Sequence, residues 1–281
     1  MDFRSVTGVT IPAGNVNKIS IGGVVYWNKP ASDNAQKHNE VYIDKDLREF
    51  TNTISARIRN GSFTDINPGN YFDFTNVAYS YLDENDETQS DTYTGRMRIM
   101  HLDYPQCCGD IDFAKHCILV VPDLSMFSAR MDSVRSTAGG YAGTEMRQKH
   151  LRRAEAIFKA CFGADHVLTY TEYLVNEVTN NKGSGGDYYN CTVELLDERM
   201  IFGEYKTGTH DSTVATEEYV FPHIKLAAFK YRFALAQTYE YWWLRNIVSD
   251  VTFGVCNGSI ISMMQSDPTS EYGVRPFVLI C

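Results

Sequence analysis

The closing stretch YWWLRNIVSDVTFGVCNGSIISMMQSDPTSEYGVRPFVLIC, residues 241–281, constrains the fold more than any other part of the chain. Asn257-Gly258 stands between two alternating runs. Both central positions of a type I′ turn need positive φ, and Asn-Gly supplies them, so the pair is the strongest short hairpin signal. Folding the chain there sets Cys256 opposite Ser259, Val255 opposite Ile260, Phe253 opposite Ser262 and Thr252 opposite Met263. Side chains alternate across a strand. Val251, Phe253, Val255, Ile260 and Met264 then share a core face, while Thr252, Gly254, Cys256, Ser259, Ile261 and Met263 share the other. The expected recognition surface is Thr252, Cys256, Asn257, Ser259, Ile261 and Met263, with neighbours Asn246, Asp250 and Gln265. Exposed Ile and Met side by side make a small apolar patch of the kind that marks contact sites, and methionine adapts to irregular partners.

The other end of the chain carries a second hairpin signal. Ile19 and Ile21 alternate with polar residues, Gly22-Gly23 interrupts, and Val24-Val25-Tyr26-Trp27 follows. Residues 1–30 read as a small β module and ASDNAQKHN as a linker, with the main domain over 36–281. A lone hairpin is marginal in water, so this one must pack on the main domain, on its own copies or on a partner.

Within the main domain, Ile43, Leu47, Phe50, Ile54 and Ile58 recur at helical spacing and predict a helix that stops before Gly61. Residues 64–90 are acidic and turn-rich, with DINPG and DENDETQSD read as loops. Strands are expected at 96–102 and 116–121. The turn Gly139-Gly140-Tyr141-Ala142-Gly143 leads into a helix over 144–162 with Leu151, Ala154, Phe158 and Cys161 inward, stopped by Gly163. TEYLVNEVTN and CTVELLDERM read as further helical pieces around the loop NKGSGGD. Helices first and a strand-rich end give an α+β class.

The net charge of −9 argues against nucleic-acid binding, and RQKHLRR at 147–153 reads as the solvated face of a helix. The start lacks the basic and apolar runs of a secretory signal. No apolar run is long enough for membrane insertion. Seven irregularly spaced cysteines predict no disulfide framework and synthesis in a reducing cytoplasm. Cys107-Cys108 and His116-Cys117 are adjacent pairs, whereas zinc ligands sit two to four residues apart, so buried thiols are expected rather than a metal. No phosphate loop, GxSxG elbow or HExxH occurs. The expectation is no catalytic residue, no metal and no cofactor.

Trp243-Leu244-Arg245 before the hairpin and Gly273-Val274-Arg275-Pro276-Phe277 after it resemble the end of a C-type-lectin-like domain. The version it resembles is that of virion proteins of phages and prophages of Gram-positive bacteria. VVPDLSMFSARMDS, TAGGYAGTEM, FGADHVLTYTEYL and TVELLDERMIFG are similar to the body of that family. SVTGVTIPAGNVNKISIGGVVYWN resembles an N-terminal module shared by phage structural proteins. The resemblance implies a tail or head fibre of receptor-binding type, located on the virion. Capsid or tail proteins would be met through residues 1–30, and a host-surface glycan or protein through the hairpin, which some relatives diversify by retroelements. In such domains the WLR and GVRP segments are scaffold. The calcium signatures EPN and WND are absent. A homo-oligomer, with a trimer favoured, is expected. The alternatives are an enzyme on the related formylglycine-generating fold, with Cys256 and Cys281 as candidates, and a purely structural capsid or tail decoration.

Overall fold

The computed structural model describes residues 34–105, 113, 115–174, 186–204 and 223–281 in full, and the backbone alone at 18–21, 24–28, 33, 106, 175, 178–179 and 182–183. Strands β1 (Lys18–Ile21) and β2 (Val24–Asn28) pair antiparallel with Ile21 opposite Val24. The N-terminal hairpin is thus formed, although Gly22-Gly23 and residues 1–17 lie outside the described residues. The segment read as a linker contains helix α1 (Asp33–Asn39). Two asparagines tie it to the body: Asn34 Nδ2 donates to Gly61 O (2.6 Å), and Asn39 Nδ2 donates to Leu102 O (2.9 Å).

The helix predicted before Gly61 shrinks to α2 (Asn52–Arg59), capped by Thr51 Oγ1, which accepts from Ile54 N (3.3 Å). Upstream, long-range pairing overrides the helical period. Ile43 N donates to Pro68 O and Leu47 N to Tyr71 O, while Arg48 takes φ 67°, which no helix tolerates. Leu47 and Phe50 still pack on the core, but from irregular backbone.

In the acidic region DINPG and the turn at 83–87 are loop, as expected, but the rest is strand. It forms a long hairpin of β3 (Tyr71–Leu82) and β4 (Thr88–Leu102). Its acidic residues gather at the turn, where Asp83 Oδ1 accepts from Asn85 N and Glu87 N. The Tyr, Phe, Thr and Val between them alternate and favour a pleated surface. The strand at 96–102 is therefore the end of a longer one, and that at 116–121 is β5 (Ile118–Pro122), followed by β6 (Phe127–Arg130).

The glycine turn becomes the short α3 (Gly140–Gly143). The predicted helix at 144–162 is a π turn over Met146–His150 continued by α4 (Leu151–Phe162), and it stops at Gly163, φ 90°. Its inner face buries Leu151, Ala154, Ile157, Phe158 and Phe162. Phe162 meets Phe50, Phe72 and Phe74 edge-on at 5.3, 5.6 and 5.2 Å between ring centroids. The basic run is not simply solvated. Arg147 pairs with buried Glu194 (2.9 Å), and Arg152 and Arg153 reach Asp86 and Asp91 on the β3–β4 hairpin.

TEYLVNEVTN, read as helix, carries strand β7 (Tyr170–Val175) and the short β8 (Val178–Thr179), which pairs with β9 (Lys182–Gly183). The β7 partner is β10 (Gly186–Cys191). CTVELLDERM divides into β11 (Val193–Leu195) and α5 (Glu198–Phe202). Helix α6 (Ala227–Tyr231) precedes the strand-rich end: β12 (Tyr241–Ser249), β13 (Thr252–Asn257), β14 (Ser262–Ser266), β15 (Glu271–Val274) and β16 (Pro276–Ile280).

The molecule is mixed α+β and mostly sheet, with helices and strands interleaved along the chain. One five-stranded sheet runs β11-β16-β5-β4-β3 and the other β14-β13-β12-β15-β6. The chain passes from the second to the first between β15 and β16, at Arg275. This guanidinium is fully buried, donates to Pro122 O (2.8 Å) and Leu235 O (2.9 Å), and lies 5.1 Å from the Trp242 ring. Burial lowers its pKa to about 10, so it remains a cation at neutral pH. Backbone carbonyls, not a carboxylate, are its partners. Among the described residues no helix is long and apolar enough to cross a membrane.

Candidate functional site

Strand β12 is central in its sheet, between β13 and β15, and is buried from Trp242 to Val248. Trp243 Nε1 donates to Ala129 O (2.8 Å), and its ring packs edge-on to Tyr272. Arg245 grips Glu172 with two bonds, 2.8 and 2.7 Å. His223 Nε2 lies against both that guanidinium and Glu172 Oε1, and Nδ1 faces the Tyr104 hydroxyl (2.9 Å). Burial alone would raise the Glu172 carboxyl, but Arg245 and His223 outweigh it and hold it well below the usual range. The pair ties β12 to β7, the strand that carries Glu172. The WLR segment is scaffold in this geometry.

The hairpin after it departs from the two-residue turn. Strands β13 and β14 are joined by residues 258–261, with Asn257 opposite Ser262 and Cys256 opposite Met263. The Asn-Gly pair bends the chain against the start of β12 instead. Gly258 N donates to Glu240 O (2.9 Å), and Asn257 Oδ1 accepts from Ser259 N (3.0 Å). A Cβ at Gly258 would sit 2.2 Å from Thr238 Oγ1. Ile261 closes the loop at φ 49°, a strained conformation for a β-branched residue.

This redistributes the nine expected surface residues. Asp250, Ser259 and Gln265 are exposed and Thr252 is half-buried. Cys256 is fully buried, because both faces of β13 are covered. Asn246 is buried and caps α5: it accepts from Glu198 N (2.7 Å) and donates to Asp197 Oδ2 (2.8 Å). Asn257 is buried as well, with its amide toward the Tyr241 hydroxyl and the Met264 sulfur. Ile261 and Met263 are half-buried and pack on the core. The Met263 methyl lies over Gly254, where a Cβ would come within 2.3 Å of it. The two apolar residues expected in the core are the outward ones: Ile260 is 71% exposed and Met264 43%. The register moved by an even step, so alternation survived, but β14 is an edge strand and its face beside Val255 is left uncovered.

Tyr239 (76% exposed) and Tyr241 extend this apolar surface. Tyr239 N donates to Gly258 O (3.3 Å), which sets its backbone beside the loop. The tyrosines precede the segment on which the alternation argument rested, and that argument did not reach them.

Other chemistry-bearing groups are engaged internally. Burial pushes the Cys161 and Cys256 thiols up to about 12, so neither is a thiolate at neutral pH. The Cys281 carbonyl accepts from Ser55 Oγ (3.2 Å). His116 Nδ1 meets Asp103 Oδ2 (2.8 Å), and Cys117 is buried, while Cys107-Cys108 lie outside the described residues. Glu84, Glu145 and His150 each bring a potential ligand atom within 4.8 Å of the others. Arg130 already donates to both carboxylates, at 3.1 and 2.9 Å, and Lys149 lies 3.9 Å from Glu145, so cations already occupy this cluster.

Comparison with protein-family models, with curated proteins and with solved structures finds no match for this chain.

Proposed function

We propose that this chain is a virion surface protein of the fibre or receptor-binding type, whose C-terminal sheet is a C-type-lectin-like recognition unit. Residues 1–30 attach it to a capsid or tail partner, and a host-surface glycan or protein is the ligand. The observation that carries the reading is the cluster of Tyr239, Tyr241, Ile260 and Met264 around one loop at a sheet edge. Large side chains left outward together at a loop tip are a contact surface in waiting, and aromatic residues supply most of the binding energy in such surfaces. The left-handed Ile261 adds a second sign, since backbone strain gathers where a loop must present side chains. The recognition surface is accordingly the loop with Tyr239, Tyr241 and Met264, joined by Ser259 and Gln265, rather than the Cys256 face. The enzymatic alternative gains nothing from Cys256, whose thiol is buried and protonated.

The test uses Ile260→Asp and Tyr239→Ser. Both sites are exposed, so each change costs less than about 0.5 kcal/mol of stability. Purified variants lose attachment to host cells while their melting temperatures stay near wild type. Full attachment by both variants would refute this surface. Immunogold labelling of intact particles locates the protein, and its absence from virions would refute the virion assignment.

A further inference from the structure

Three buried side-chain atoms around the second sheet have no hydrogen-bond partner among the described residues: Ser125 Oγ, Trp242 Nε1 and Arg275 Nη1. Buried polar groups normally find a partner, so each of these needs a reason. Trp242 and Arg275 are enclosed, at 0% and 1% exposure. The neighbouring indole of Trp243 shows the ordinary case, with its N–H on Ala129 O (2.8 Å).

The topology gathers the three. Trp242 pairs with Gly273 across β12 and β15, so the two positions share one face of the sheet. Arg275 stands two residues beyond Gly273, on the same side by alternation. Its Cζ lies 5.1 Å from the centre of the Trp242 ring. Ser125 fills the space over Gly273, where a Cβ would meet its Oγ at 2.1 Å. Glycine at this position lets a hydroxyl, an indole and a guanidinium approach one place.

Their chemistry is one-sided. The indole and the guanidinium can only donate, and the hydroxyl can donate as well. Whatever they share must be an acceptor. Arg275 is also a cation whose contacts are two carbonyls, Pro122 O and Leu235 O. The carboxylates that act on it lie farther off and are engaged elsewhere. Both oxygens of Asp123 are held by Arg98 (2.8 and 2.7 Å), and Glu240 Oε1 accepts from Ser125 N (3.2 Å). A neutral acceptor would answer the donors and leave a buried charge without a counter-ion in contact. An anion answers both. Because the three atoms are closed to solvent, the anion must shed its water, and that cost is steepest for multivalent and for small, tightly hydrated ions. Chloride and bromide are favoured over sulfate and fluoride. Ser125 also lines, with Asp123 and Leu235, a cleft of about 570 Å³, which brings solvent to the edge of the site.

We infer that Ser125, Trp242 and Arg275 form a binding site for a single chloride-type halide ion where the chain passes between the two sheets. The site is separate from the loop surface and does not depend on what that surface binds.

NMR of the full chain with isotope-labelled tryptophan tests it. The chain has three tryptophans. Trp242→Phe assigns the Trp242 indole N–H by its loss; should that variant not fold, sequential assignment of the wild type replaces it. Sodium fluoride is exchanged stepwise for sodium chloride or bromide at constant ionic strength. The Trp242 resonance moves and saturates with both, while that of Trp243, whose N–H is already bonded, stays in place. Ser125→Ala removes one donor and shifts the midpoint to about tenfold higher chloride, the worth of a hydrogen bond to a charged group. Chloride also raises the melting temperature of the wild type above its value in fluoride, and raises that of Ser125→Ala less. A Trp242 resonance that does not respond up to molar chloride overturns the inference. So do three indoles that move alike, which is a general salt effect, or a Ser125→Ala midpoint equal to that of the wild type.

Discussion

His101 shows how a single buried ring sets a pH limit on this fold. Its Nδ1 accepts a hydrogen bond from Ala227 N (3.1 Å), the first residue of α6. Only the neutral ring can accept there, and burial lowers its pKa to about 3. The unfolded ring titrates near 6.5, so between these values the unfolded state binds the extra proton. Stability is therefore full above about 6.5 and falls as the pH drops toward the folded value, by at most about 1.4 kcal/mol per pH unit. Glu172 acts in the same direction but lower, because its depressed pKa costs stability only below the ordinary glutamate range, about 4.3. Urea melts between pH 7 and 4.5 read the histidine together with His150, whose pKa burial also lowers, and the variant separates the two. The wild type loses stability over that window, and His101→Gln, which keeps an acceptor but cannot titrate, gives a flatter profile. An equally steep profile in the variant would assign the loss to another group.

Elements were legible where a local signal met no competing long-range pairing. Leu151, Ala154 and Phe158 repeat on one face, and Gly163 follows where the helix must stop; α4 obeys both signals. Gly163 has φ 90° and ψ 136°, where a Cβ is strained, so Gly163→Ala lowers stability by about 1–3 kcal/mol. Chemical denaturation reads this as a lower midpoint at unchanged slope, and an unshifted midpoint would mean that the backbone relaxes to another conformation at no cost. Elsewhere the period misled. Leu47 and Phe50 sit at helical spacing, yet the backbone around them bonds to 68–71. TEYLV could be helix or strand by composition, and pairing with β10 decided it. At the candidate site the alternation of β13 was readable, but not the loop length or what covers each face. Asn246 looked outward because α5 was invisible to the local pattern, as was whatever covers the Cys256 face, and Tyr239 and Tyr241 were missed because they join the loop through long-range contacts, Tyr239 with Gly258 and Tyr241 with Asn257.

At the scale of the whole molecule, the question is what the first thirty residues contribute. Strands β1 and β2 form a sheet of two, paired with each other and with no other described strand. The body has its own core, running from Ala35 and Ile58 to Cys281, and α1 is fastened to it by Asn34 and Asn39. A two-stranded hairpin is marginal alone. Packing its copies around a symmetry axis is one way to gain burial, and it would also gather several weak recognition surfaces into one avid assembly. Deletion of residues 1–30 should therefore leave a body that melts cooperatively at nearly the wild-type temperature, while the protein no longer joins particles. Light scattering should give a trimer for the full chain and a monomer for the deletion. A full chain that is monomeric at micromolar concentration would remove the avidity argument. A deletion that remains trimeric would move the association surface onto the body. A deletion that fails to fold would mean that the hairpin completes the core, and the attachment role of residues 1–30 would have to be abandoned.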